Sequence, residues 1–439
     1  MPFRPATLRP ALFLALLAAV SPLSACGLLQ DTTGADSSKP VRTYERGTMT
    51  YLERNDGGST VRVGLNRRWG GSITEVSLDG RNFVNAFDTG REVQLSLYDI
   101  DGRGDLCAGC TGSWPWNPVQ AGDRHGHTTG VLAQERTDSA VYMKTRPLEW
   151  FPDDKGGNAG RAVPTDMVYE MWVSVVPEHP RAFHVHFRAT HEGADSHAAT
   201  GQEVPAVFAN AEFSNFIYYG GTQPWTNDAL THARMRSLND AAWASTRFYV
   251  PERWAAFADA KGVGLTVYTP SAYPYAGGYS VATGTGSYDT NYFVPVSFFG
   301  VGPHAVIEAD VYLVAGDVDA ARGVVYDLHQ RFPAKDICSP VLEITPPDPR
   351  AVAGVLTLAG TVVDDVALAG VEVQVDGQVA GPAEVDAPAA AAGGPPASSA
   401  FRYRLDTTRL ANGARTVTVR ATDTSGNATV RRIVVNVAN

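Results

Sequence analysis

The sequence predicts an all-β protein in which a large antiparallel β-sandwich is followed by a smaller one. The chain contains 43 Gly and 28 Pro, which favour the many turns that all-β folds require. Short apolar segments with period-two alternation recur between these turns. Only one clear amphipathic helix interrupts them, which excludes a βαβ fold.

The predicted strands of the large domain are rich in β-branched and aromatic residues. The clearest segments are Thr60–Leu65, Met167–Val173, Phe183–Phe187 and Val306–Val314. The helix is predicted over Val318–Gln330, because Asp317 can cap its first turn and Pro333 follows its end.

The charge of the chain argues against a nucleic-acid partner. The formal net charge is −10, and no basic stripe that could neutralise phosphates is visible. A neutral or weakly charged partner fits this composition better.

The first residues have the pattern of an export signal. Arg4 and Arg9 precede the apolar run Ala11–Val20, which is too short to span a bilayer. The following Leu23-Ser24-Ala25-Cys26 resembles the lipobox of bacterial lipoproteins. The resemblance implies that residues 1–25 are removed, that Cys26 is lipidated and that residues 26–42 are a tether. Gly27 favours the outer membrane, and a soluble exported protein is the alternative.

Three further cysteines have open roles. Cys107 and Cys110 lie in a Gly-rich loop, where a local disulfide is the first interpretation. Zinc binding with His125 and His127 is a second interpretation. Cys338 lies at the predicted domain junction and could instead pair with one of the loop cysteines.

The chain changes character after residue 337, which separates a domain at 43–337 from one at 338–439. The turn dipeptides Asp376-Gly377 and Asn412-Gly413 separate alternating strands. With Leu358–Asp365 and Val419–Asn427, these segments resemble the bacterial Ig-like domains of exported proteins. The Ala-, Pro- and Gly-rich stretch Gly381–Ser399 is expected to form a flexible loop.

The large domain resembles the galactose-mutarotase-like β-supersandwich. The residues that carry the resemblance are Asn66–Asn82 and Asp88–Leu95. The paired histidines and the catalytic carboxylate of true mutarotases have no counterpart that we can align. The resemblance therefore implies the fold and a link to carbohydrate, and the same fold occurs in glycoside hydrolases and polysaccharide lyases.

Several loops combine aromatic and polar residues, as sugar-binding sites do. The densest is Ser113–His127, the second is Tyr218–Asn227 and the third is Tyr273–Tyr275. The predicted carbohydrate-binding residues are Trp114, Trp116, Asn117, Gln120, Tyr219 and Trp225. For any single Trp, packing in the core is the alternative.

Three residues are candidates for acid–base chemistry. Glu203 precedes a Tyr-rich loop, while Asp123 and His125 lie in the Trp loop. A carboxylate pair on facing loops could cleave glycosidic bonds, and a His or Tyr beside an acidic sugar could support lyase chemistry. A hydrogen bond that stabilises a loop is the alternative for each residue.

A calcium site is a further hypothesis. Asp99, Asp101 and Asp105 place three carboxylates on one Gly-rich loop, and calcium prefers oxygen ligands. The loop departs from the EF-hand pattern at Arg103 and Cys110. A solvated acidic turn is the alternative.

Together these features predict an outer-membrane lipoprotein that binds polysaccharide or a cell-surface glycan. A stronger form of the hypothesis is that the protein also cleaves it. The expected contact with the membrane is through the lipid anchor alone. A non-catalytic surface adhesin or scaffold is the competing interpretation, in which the same loops only stabilise the sandwich.

Overall fold

A computed structural model describes residues 40–99, 116–154, 160–237, 247–347, 352–388 and 396–439. These residues form two large and two small antiparallel sheets and one α-helix. The predicted all-β class, with a large sandwich followed by a smaller Ig-like one, is confirmed.

The large domain contains the first 21 strands of the described chain. They are β1 (Val41–Arg46), β2 (Met49–Asp56), β3 (Ser59–Asn66), β4 (Ser72–Leu78), β5 (Arg81–Asn82), β6 (Val93–Ser96), β7 (Pro118–Val119), β8 (Val131–Arg136), β9 (Ala140–Thr145), β10 (Leu148–Glu149), β11 (Met167–Val176), β12 (His179–His191), β13 (His197–Asn210), β14 (Asn215–Tyr218), β15 (Thr231–Ala233), β16 (Arg247–Tyr249), β17 (Trp254–Ala258), β18 (Val263–Tyr268), β19 (Tyr275–Val281), β20 (Thr290–Val301) and β21 (Val306–Asp317).

These strands form a 12-stranded and a 9-stranded sheet. The main path of the first sheet is β1-β2-β3-β4-β6-β13-β20-β19-β16, with β5, β7 and β10 paired beside it. The second sheet has the order β15-β14-β17-β18-β21-β12-β11-β9-β8. The chain crosses from the second sheet to the first between β12 and β13.

The two sheets pack face to face around one apolar core. Alternate residues of β3, such as Val61, Val63 and Leu65, are fully buried, and Phe257 and Leu313 of the second sheet lie in the same core. Burying one such side chain contributes about 1.5–3 kcal/mol. The period-two pattern of the sequence therefore determines which face of each strand points inward.

A single helix, α1 (Val318–Arg331), covers the outer face of the second sheet. The Oδ1 of Asp317 accepts a hydrogen bond from the backbone N–H of Ala320 at 2.9 Å. Val325 and Leu328 are buried against the sheet. The predicted helix and its cap are confirmed, with the C-terminal end one residue later than expected.

The C-terminal domain has two four-stranded sheets with the orders β22-β23-β27-β26 and β25-β24-β28-β29. Its strands are β22 (Val341–Ile344), β23 (Val355–Val363), β24 (Leu368–Val375), β25 (Gln378–Pro382), β26 (Glu384–Val385), β27 (Ser399–Asp406), β28 (Gly413–Asp423) and β29 (Ala428–Val437). Its core is separate from that of the large domain and is centred on Phe401, Val373 and Val417.

One prediction about the turns and loops of this domain is confirmed, and another is wrong. Asp376 and Gly377 have φ values of 49° and 81°, as expected for the tight turn between β24 and β25. The expectation of one loop from Gly381 to Ser399 is wrong at both ends. β25 extends to Pro382, β26 follows it, and β27 begins at Ser399, because these residues pair with neighbouring strands.

Polar contacts connect the two domains. The Nη2 of Arg253 donates to Oδ2 of Asp365 at 2.9 Å, and the Nε of Arg253 donates to the carbonyl of Ala272. The backbone N–H of Ser339 donates to the carbonyl of Phe298 at 2.6 Å. Burial raises the pKa of Asp365, and Arg253 opposes this effect.

Cys338 at this junction is a buried free thiol whose Sγ donates to the carbonyl of Ser271. This corrects the alternative in which Cys338 pairs with a loop cysteine. Cys107, Cys110 and Cys26 lie outside the described residues. Within the described part of the chain, no helix has the length and apolarity needed to cross a membrane.

Replacing Arg253 by Met is expected to lower the free energy of unfolding by about 2 kcal/mol, because Asp365 would stay buried without its cationic partner. Urea denaturation of the full chain measures this change. Arg402→Met is the matched control, since its partner Asp386 is more than half exposed and surface ion pairs contribute less than about 1 kcal/mol. Equal losses in the two variants would contradict the assigned role of Arg253.

Candidate functional site

A cavity of about 320 Å³ lies on the outer face of the first sheet, where β13, β19 and β20 meet the C-terminal domain. Its lining includes Gln202, Glu203, Tyr273, Tyr275, Val341 and Pro396. The volume lies within the range of about 300–1,000 Å³ that is typical of small-molecule sites.

The local structure of β13 places Glu203 in this cavity. Glu203 lies opposite Val296 of β20 and Ser96 of β6. The neighbouring Val204 and Val207 point into the core between the sheets. The pairing register shifts between Glu203 and Val207, and such bulges change the direction of side chains within a strand.

Two tyrosines form hydrogen bonds to the Glu203 carboxyl group. The hydroxyl of Tyr292 donates to Oε1, and the hydroxyl of Tyr98 forms a second hydrogen bond. Burial raises the pKa of Glu203 to about 7, although both hydrogen bonds act in the opposite direction. Both protonation states are therefore populated near neutral pH, as acid–base catalysis requires.

Aromatic rings form another part of the cavity wall. The rings of Tyr273 and Tyr275 are stacked, with centroids 5.8 Å apart and an angle of 19° between their planes. The hydroxyl of Tyr273 is buried and has no hydrogen-bond partner among the described residues. An unsatisfied buried hydroxyl costs about 1–3 kcal/mol.

The predicted residues of the Trp loop have structural contacts. Trp116 is almost fully buried, and its ring stacks on His197 with centroids 3.7 Å apart. Asn117 donates to Ser96 Oγ and to a backbone carbonyl. Gln120 accepts from the N–H of Leu95 and donates to the carbonyl of residue 70. Neither amide is accessible to a sugar in this conformation, and Trp114 lies outside the described residues.

The second aromatic loop packs near α1. The ring of Trp225 stacks on His329 with centroids 3.6 Å apart, and its backbone N–H donates to Glu252. Tyr219 is buried, and its hydroxyl accepts from the N–H of Gln223. Trp116 and Trp225 therefore contact different parts of the molecule, and the structure does not bring them together around Glu203.

The other two candidate acid–base residues are engaged in local contacts. Asp123 is fully buried and accepts from the backbone N–H groups of His125 and His127 and from the His127 ring. The Nε2 of His125 lies 2.6 Å from Oδ2 of Asp153. Asp123 thus stabilises its own turn, and Glu203 is the one predicted acid–base residue that lines the cavity.

A separate group of side chains could hold a metal ion. One ligand atom from each of Asp166, His191, Asp195 and His197 lies within 4.8 Å of the others. The Oδ2 of Asp99, which is a predicted calcium ligand, lies 3.1 Å from Nδ1 of His197. Asp101 and Asp105 lie outside the described residues, so the calcium prediction stays open for them.

Sequence reasoning identified Glu203 and Tyr273–Tyr275 but missed several partners. No pattern in the sequence around Tyr98 or Tyr292 indicates a contact with Glu203, because this contact forms only when β6, β13 and β20 align. The histidine group was missed for the same reason, since His191 and Asp166 come from different strand ends.

Comparisons with known proteins support the C-terminal assignment most strongly. Residues 340–419 match the model of a bacterial Ig domain. No curated protein sequence matches the chain significantly. Solved structures resemble the chain at low identity, and three of them illustrate this similarity.

The first is an endo-beta-1,4-mannanase from Thermotoga petrophila, with 18% identity, 27% of this chain and 24% of that chain covered, and a TM-score of 0.18. The second is a polysaccharide lyase that is 11% identical. The match covers 88% of this chain and 47% of the lyase, with a TM-score of 0.33. The third is a candidate mutarotase from Salmonella typhimurium that is 10% identical. The match covers 64% of this chain and 95% of the mutarotase, with a TM-score of 0.35. The chain therefore spans less than half the length of the first two, and similarities this weak carry no functional argument.

The raised pKa of Glu203 predicts a pH-dependent stability. Because the folded state holds this proton more tightly than the unfolded state, the stabilisation is complete below pH 4.5 and is lost as the pH rises through about 7. The free energy of unfolding of the parent protein should fall by up to about 3 kcal/mol as the pH rises through this window. This fall should be absent in Glu203→Gln. Urea denaturation at a series of pH values measures the difference.

The exposed Glu135 provides the matched control, and Glu135→Gln should keep the pH profile of the parent protein. A Glu203→Gln variant with an unchanged pH profile would show that Glu203 titrates at its ordinary value.

Proposed function

We propose that the protein binds a saccharide in the cavity between the first sheet and the C-terminal domain. The observation that carries this proposal is the combination of stacked tyrosine rings with a titratable carboxyl group in one cavity of suitable size. Sugars present apolar C–H faces to aromatic rings and hydroxyl groups to polar side chains.

Each feature of the cavity has a role in this interaction. Tyr275 is partly exposed and offers a ring surface for stacking. Glu203 lines the cavity, and its carboxyl group could bond a sugar hydroxyl there. Gln202 positions this wall, because its amide bonds the backbone of Tyr98 and Phe299.

Glu203 is also the group best suited to proton transfer if the bound saccharide is cleaved. Among the lining residues that the structure describes, it is the only carboxylate. Glycoside hydrolysis ordinarily uses two carboxyl groups, so this lining supports binding more strongly than hydrolysis. Binding without turnover would correspond to the adhesin or scaffold interpretation.

Tyr275→Ala should weaken the binding of the preferred polysaccharide by about 10-fold, because about 1.4 kcal/mol of stacking energy is lost. Titration calorimetry of the full chain in detergent, after a screen of a polysaccharide panel, measures the affinity. Tyr51→Ala is the matched control, because Tyr51 does not line the cavity. Its ring stacks on that of Tyr44, with centroids 5.0 Å apart. Equal affinities in the two variants, or no binding across the panel, would contradict the proposal.

The same panel tests for turnover. If Glu203 transfers a proton, Glu203→Gln should abolish new reducing ends or unsaturated uronate absorbance while the variant still binds the polysaccharide. Product formation that persists in Glu203→Gln would exclude Glu203 from the chemistry.

We further propose that the protein is exported and anchored to the bacterial outer membrane through a lipid on Cys26. The support is the Leu23–Cys26 motif after an apolar segment. Cys26→Ser should move the protein from the detergent phase to the aqueous phase in a Triton X-114 partition. An unchanged partition would contradict lipidation at Cys26.

A further inference from the structure

Four potential metal ligands converge where the chain crosses from the second sheet to the first. Asp166 precedes β11, His191 ends β12, Asp195 lies in the connection and His197 begins β13. We propose that these four residues bind one zinc ion, which joins the edges of the two sheets.

The two histidines are oriented as metal ligands are. The Nδ1 of His191 lies 2.8 Å from the carbonyl oxygen of residue 302, and the Nδ1 of His197 lies 3.1 Å from Oδ2 of Asp99. A carbonyl or carboxylate oxygen accepts a hydrogen bond, so each Nδ1 carries the hydrogen. With zinc bound, each Nε2 would carry no hydrogen and could bind the cation, and such outer hydrogen bonds are typical of histidine ligands.

Both Nε2 atoms face the carboxylates of the group. The Nε2 of His191 lies 3.1 Å from Oδ2 of Asp166 and 3.5 Å from Oδ1 of Asp195. The Nε2 of His197 is buried and has no hydrogen-bond partner among the residues that the structure describes, and Oδ2 of Asp195 lies 3.8 Å away. That distance is too long for a hydrogen bond, whereas an ion between the two atoms would contact both.

Gly193 provides the space for an ion. A Cβ atom at this position would lie 2.5 Å from Oδ2 of Asp166, 2.5 Å from Nε2 of His191 and 2.7 Å from Oδ1 of Asp195. Three ligand atoms thus surround one small volume that a glycine leaves open. Any larger residue would fill part of it.

The ligand set indicates zinc rather than calcium or magnesium. Two imidazole nitrogens and two carboxylate oxygens form a common tetrahedral set for zinc, whereas calcium and magnesium prefer oxygen alone. Tetrahedral zinc with bonds of about 2.05 Å places its ligands about 3.3 Å apart. Three contacts in the group measure 3.1, 3.5 and 3.8 Å, and all four ligand atoms lie within 4.8 Å of one another, so the side chains would move closer together around zinc.

The surrounding residues agree with a structural site. Trp116 donates from Nε1 to Oδ1 of Asp166 at 3.1 Å and stacks on the ring of His197. The buried Trp116 therefore orients two ligands at once. Four protein ligands complete a tetrahedron, which is the coordination of zinc sites that stabilise folds.

The experiment measures zinc in the full chain purified in detergent and then titrates the EDTA-treated protein with Zn²⁺ and with Co²⁺. We expect one zinc per chain, an intense tetrahedral Co²⁺ absorption spectrum and a higher Tm with zinc. Asp195→Asn should weaken zinc binding at least 10-fold, by about 1.4 kcal/mol or more. Asp195 is mostly exposed, so this variant should remain folded.

Gly193→Ala removes no ligand but fills the space between them, and it should weaken binding as well. His184→Asn is the matched control, because His184 and His186 contact Asp310 on the second sheet and should not affect zinc. The proposal is overturned if the protein neither holds nor takes up zinc. It is equally overturned if Asp195→Asn and Gly193→Ala bind zinc as tightly as the parent protein does.

Discussion

The apolar contact between the two large sheets holds the large domain together. It fixes the inward face of every long strand and so determines which side chains remain on the outer faces. The second sheet buries its outer face under α1. The outer face of the first sheet meets the C-terminal domain, and the cavity lies where these two surfaces do not close completely.

One strand, β13, carries residues of both proposed sites. His197 at its start belongs to the metal-ligand group, and Glu203 near its middle lies in the cavity. The strand pairs with β20 and β6, which bring Tyr292 and Tyr98 to Glu203.

Local features were predictable from the sequence, and distant contacts were not. Alternation identified the strands, and Asp317 marked the start of the helix, because each effect acts within a few residues. The contact between Asp99 and His197 joins residues 98 positions apart and depends on the sheet topology. Trp116 was a plausible sugar platform, but its indole N–H bonds Asp166 in the interior, which composition alone does not show.

A crystal structure of the protein with the oligosaccharide that it binds best would locate the bound sugar. We expect a sugar ring against Tyr275, with a sugar hydroxyl within hydrogen-bond distance of Glu203. Electron density for the sugar at another surface, with the cavity beside Glu203 unchanged, would contradict this expectation.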